Sequence, residues 1–144
     1  MSKPSTMPEV RGYGQLFGHV ANAQFCQCSA AVGQPNPNQG HNLETELKTK
    51  AEFEKALADS FAICDKAFDQ LTDQNATELV AQGRGQVARA GVLAGMIGHS
   101  NEMYGTAGVY LRAKNIVPPS TENQPARGAA PAGAGGRQGT PPGR

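Results

Sequence analysis

Hydrophobic positions recur along this chain in three stretches with helical spacing, set apart by two segments rich in turn-forming residues. Counting about 100° per residue from Tyr13 to Val32, Tyr13, Leu16, His19, Val20, Ala23, Cys26 and Ala30 gather on one side. Phe17, Phe25 and Val32 lie on the other. A helix apolar on opposite sides is predicted to be sandwiched between neighbours rather than to lie on a surface. Gly33-Gln34-Pro35-Asn36-Pro37-Asn38-Gln39-Gly40 then breaks the pattern with strong loop punctuation.

The second stretch begins at about Glu44 or Thr49 and runs to Leu71. Phe53, Leu57, Phe61, Cys64, Phe68 and Leu71 keep the three-and-four spacing of a core-facing stripe, and charges such as Glu52, Lys55, Asp59 and Lys66 form a solvated face around the rest. Asp73 to Glu78 reads as a turn, and Gly83 and Gly85 argue against helix there. The third stretch, Gln86 to about Lys114, sets Val92, Met96, His99, Met103 and Tyr110 along one edge of its apolar face, with Leu93, Ile97, Tyr104, Ala107 and Leu111 beside them. Its five glycines each weaken a helix by roughly 1 kcal/mol relative to alanine, so close helix approach must compensate. Asn115 can end this helix, and Pro118-Pro119 forbid its continuation. The expected fold class is an all-α, up-down helical bundle with three main helices.

Composition narrows the picture further. The chain of 144 residues has room for one small domain, expected over residues 9–121, followed at 122–144 by a Gly, Pro, Ala and Arg tail. From Ser120 onward no branched aliphatic or aromatic side chain offsets the entropy of ordering, so the tail is expected to be disordered. A formal net charge of +1 excludes a broad nucleic-acid or membrane-surface footprint. Cys26, Cys28 and Cys64 lack the paired spacing of a zinc knuckle and read as buried thiols in a reducing compartment. No stretch is long and apolar enough for a signal peptide or a membrane span, so a soluble cytoplasmic protein is expected.

The candidate chemistry rests on two imidazoles. His19 on the first helix and His99 on the third can project into one interior and share a metal ion, since bundle cores are where facing helices place metal ligands. Met103, one turn after His99, supplies a thioether where a third nitrogen would complete an open catalytic site. Thioether ligation favours Cu(I), so Met103 reads more readily as core filler. His41 in the Pro/Asn-rich loop reads as a surface histidine, Glu102 as a solvated carboxylate, and Tyr104 and Tyr110 as packing residues.

The segments EVRGYGQLFGHVANAQFCQCSA and GHSNEMYGTAGVYLRAKNIVPPST, which carry these histidines, resemble the first-ligand helix and the last-helix signature of the DinB family of metalloenzymes, over about residues 9–121. The resemblance implies a four-helix-bundle fold and a divalent metal, Zn, Ni or Fe. Its ligands would be one histidine at the His19 position and a His-x-x-x-His pair beginning at the His99 position. Met103 replaces the last of these, so the site is expected to be weakened and to hold metal poorly. An intact site would serve a metal-dependent transferase or hydrolase acting on a small thiol-bearing or electrophilic substrate. Family members also carry a long helix ahead of the first segment, and only about ten residues precede it here, so the bundle is expected to lack that helix. The face left bare would make the chain a homo-oligomer, or a non-catalytic bundle that self-associates.

Overall fold

The structure, a computed structural model, describes residues 10–122. Their elements, in order, are α1 (Tyr13–Val32), α2 (Leu43–Glu46), α3 (Lys50–Asp69), β1 (Leu79–Gln82), β2 (Gly85–Ala88), α4 (Arg89–Arg112) and α5 (Pro119–Glu122). The fold is mostly helical, as the periodicity predicts, with α1 in the middle. α3 and α4 pack on either side of it and α2 lies against it as well. This explains an α1 whose described side chains are buried or half-buried at every position except Cys26.

Three apolar clusters radiate from α1. Cys28 and Ala31 meet Cys64 and Ala67 of α3 and Leu93 and Met96 of α4. Leu16 meets Met103 and Ala107 of α4. Ala21 and Phe25 meet Leu43 of α2, backed by Leu57 and Ile63 of α3. The helix stops at Gly33, whose φ of 81° lets its own amide and that of Gln34 return to the Ser29 carbonyl. Arg89 adds a second cap by donating to the Ala31 carbonyl, while also pairing with Glu78 at 2.8 Å.

The stripe expected on α3 is rotated. Ser60, Cys64 and Ala67 are its buried residues, whereas Phe61 is 48% and Phe68 37% exposed. Small residues win the interface because α1 and α3 approach very closely. Cys28 and Cys64 form a disulfide with their Cα atoms 4.9 Å apart, and Ser60 Oγ donates to the buried Gln24 Oε1 at 2.7 Å. The reading of the three cysteines as buried thiols is therefore corrected: two are cross-linked and Cys26 is exposed.

A second correction lies between α3 and α4: the turn expected at Asp73 to Glu78 is present over residues 73–77, but a β-hairpin follows it and takes the place of the first residues of the third helix. Gln82 pairs with Gly85 across a two-residue loop. Gly83 at φ 59° takes the first loop position, where a type II′ turn needs glycine. α4 accordingly begins at Arg89 rather than Gln86. It ends at Arg112, and Asn115, at φ 58°, completes the stop by letting the Ile116 amide reach the Leu111 carbonyl. Ser120 to Glu122, expected to belong to the disordered tail, form the helical turn α5, which Pro119 can enter as the first helical residue because its missing N–H has no partner to lose there. The rest of the expected tail lies outside the described residues. No described helix is long and apolar enough to cross a membrane.

Candidate metal centre

His19 sits in the N-terminal half of α1, on the side that α2 and α4 share. α2 reaches it because Asn42 caps that short helix, its side chain accepting from the Glu44 amide at 3.1 Å, which aims the Glu44 side chain back at α1. Glu44 Oε1 accepts a hydrogen bond from His19 Nδ1 at 2.6 Å, and Oε2 accepts from Arg11 Nε at 2.6 Å. Burial alone would raise the Glu44 carboxyl, but the bonds and charges of Arg11 and His19 outweigh it and hold it below the usual carboxylate range. Tyr110 of α4 fixes the other end of this chain by donating its hydroxyl to the Arg11 carbonyl.

An ionised Glu44 settles the proton on Nδ1 of His19 and turns the Nε2 lone pair outward. It faces Nε2 of His99 at 3.0 Å, with the ring centroids 4.9 Å apart. Without metal, His99 Nε2 donates across this gap. Burial first, and His19 second, keep the His99 pKa below its ordinary 6.5, so His99 stays neutral. Its far nitrogen, Nδ1, is buried and has no hydrogen-bond partner among the described residues.

The two nitrogens suit a shared ion in one respect and resist it in another. Tetrahedral zinc about 2.1 Å from each nitrogen would set the two about 3.4 Å apart, so the hydrogen-bonded pair at 3.0 Å has to widen by only a few tenths of an ångström to admit an ion. Glu44 gives His19 the carboxylate partner that metal-bound histidines favour. His99 has none. With Nε2 given to a metal, its proton moves to the buried Nδ1, where an unpartnered donor costs about 1–3 kcal/mol. Among the described residues no group of three or more His, Cys, Asp or Glu side chains is placed to hold a metal. Met103 is buried one turn along α4 from His99 and packs on Leu16, one turn from His19.

The structure thus brings together His19 and His99, with Met103 alongside, and leaves the other candidates apart. His41 pairs with Glu46 at 3.1 Å on an exposed loop, Glu102 is exposed, and the Tyr104 hydroxyl accepts from the Ser120 amide at 2.9 Å. Sequence reasoning missed Glu44 and Arg11. The signal available was the Asn42-Leu43-Glu44 helix start, which has an N-cap residue followed by a carboxylate. Beside Glu44 opens a groove of about 920 Å³ walled by Tyr13, Phe17, Phe53 and Leu57, with Lys48 at its rim; neither histidine lines it. Compared with known proteins, the chain matches no family model and no curated protein.

Proposed function

We propose that this chain is a DinB-like helical bundle, of the four-helix type with three main helices, carrying a weakened divalent-metal site on His19 and His99. The observation behind this reading is the convergence of the two Nε2 atoms at 3.0 Å, with His19 already oriented by Glu44. Zn, Ni or Fe would bind through these nitrogens, water completing the set, and Met103 leaves the third protein position without an imidazole. A bound divalent ion lowers the pKa of its water toward about 7, which is the chemistry a hydrolase or transferase on a small thiol-bearing or electrophilic substrate requires. Glu44 and Arg11 would hold the His19 ring. The groove beside Glu44 would admit the apolar part of such a substrate.

The test is calorimetric titration of tag-free protein with zinc and nickel. Weak binding that His19→Ala and His99→Ala each abolish supports the reading, and binding indifferent to both substitutions refutes it.

A second reading, a non-catalytic bundle that self-associates, is favoured by exposed apolar side chains a heptad apart on two helices: Phe61 and Phe68 on α3, Ile97 and Tyr104 on α4. As to location, the Cys28–Cys64 disulfide favours an oxidising compartment over the cytoplasmic one that the sequence reading expects.

A further inference from the structure

His99 lies between two buried methionines on one face of α4, Met96 one turn before it and Met103 one turn after. Their situations differ. Met96 belongs to the cluster around the disulfide, and its sulfur receives the Ser100 hydroxyl at 3.6 Å. Met103 packs on Leu16, one turn along α1 from His19, and among the described residues no hydrogen bond engages its sulfur. The donor set on this face is therefore the two facing Nε2 atoms and one thioether.

That set has three properties that bear on which ion it takes. It is soft, because a thioether binds copper(I) well and Zn, Ni or Fe(II) poorly. It is small: a d10 monovalent copper ion is satisfied by two or three donors, whereas zinc takes four and octahedral ions six. It also carries no net negative charge. Of the two carboxylates whose position bears on the pair, Glu44 is already bonded to Arg11, and Glu102, whose charge acts on His99 alongside that of Arg11, is exposed to solvent that screens it. A divalent ion would bring two uncompensated charges into a half-buried position, and a monovalent ion brings one.

Resting on the proposal that His19 and His99 bind metal at all, we infer that this site is selective for copper(I), with Met103 as the selecting ligand.

Copper(I) also binds thiolates, and Cys26 is exposed, so the test uses tag-free Cys26→Ser protein under argon with ascorbate-reduced copper. Copper(I) affinity is read by competition with bathocuproine disulfonate, and zinc affinity by calorimetry, for the parent and for Met103→Leu, a volume-conserving change. Circular dichroism verifies folding. The expected result is one copper(I) per chain, bound at least on the order of tenfold more tightly than zinc. Met103→Leu should lower copper(I) affinity by a similar factor, leave zinc affinity unchanged, and remove a sulfur scatterer from the copper X-ray absorption spectrum. Zinc bound as tightly as copper(I) overturns the selectivity and leaves the two-histidine site standing. Tight copper(I) binding that ignores Met103→Leu overturns the role of Met103. If the folded protein binds neither ion, both this inference and the metal-site proposal beneath it fail.

Discussion

A Cβ built on Gly18 would lie 2.6 Å from the carbonyl oxygen of Leu43, so α1 and α2 meet backbone to backbone at this pair. No side chain other than hydrogen fits there. The contact brings Glu44, which follows Leu43, within reach of His19, which follows Gly18. Gly18→Ala is therefore expected to push α2 away and to break the Glu44–His19 bond while α1, α3 and α4 remain packed. The check is loss of the downfield Nδ1 proton resonance of His19 with helical circular dichroism retained.

Glu44→Gln tests the same relationship without moving backbone. A neutral amide no longer fixes the His19 tautomer or stabilises its proton, so affinity for zinc or copper(I) should fall by about 10- to 100-fold. Calorimetry measures the loss, and an unchanged melting temperature separates it from unfolding.

Met103→His supplies the third nitrogen. Zinc affinity is expected to rise by an order of magnitude or more, since each full tenfold corresponds to about 1.4 kcal/mol. His19→Ala in that background should remove the gain. Equal zinc binding by the parent and by Met103→His would refute the prediction.

The three helices are legible from periodicity, yet two features are not, each for its own physical reason. Of the stripe expected on α3, Cys64 is buried and Leu57 and Leu71 pack on the core, but Phe61 and Phe68 turn outward and Ser60 and Ala67 take their place, because helices drawn within disulfide distance exclude rings. The hairpin at Leu79–Ala88 was missed because its strands are only four residues each and the glycines at 83 and 85 read as helix breaking rather than as a type II′ turn. At the site, the two histidines were identified by type and helix. Glu44, 25 positions from His19, is brought there by the Gly18 contact, which leaves no local pattern.

Removing the Cys28–Cys64 bond should destabilise the fold by about 3–4 kcal/mol on the chain-entropy argument, given its sequence separation of 36. The double variant Cys28→Ser, Cys64→Ser measured by urea denaturation gives the figure. Non-reducing peptide mapping should show Cys28 joined to Cys64, with only Cys26 alkylated before reduction.

Glu52 completes a capping box on α3, accepting from the Lys48 and Thr49 amides, and these bonds lower its pKa from 4.5. A folded pKa below the unfolded one means this contribution is complete above pH 4.5 and is lost as pH falls below it. Glu52→Gln keeps the geometry without the titration, so its stability should decline less steeply with acid than the parent's. Parallel denaturation curves from pH 6 to about 3 decide the matter.

The chain should also self-associate. Phe61→Ser with Phe68→Ser removes two exposed rings at little cost to the core. Sedimentation at micromolar concentration should show the parent dimeric or larger and the variant shifted toward monomer.

The two histidines belong to helices of very different freedom. α1 is gripped by a cross-link, by the Gly18 contact and by all three apolar clusters, so His19 is an anchored donor. α4 touches the rest mainly along one edge and carries Gly95, Gly98 and Gly105, where an added methyl would meet nothing within 4 Å. Each such glycine leaves the helix softer by roughly 1 kcal/mol than alanine would. Adjustment to an arriving ion therefore falls to the His99 side, and stiffening α4 with alanines at these three open positions would tighten or spoil the grip without touching a single ligand.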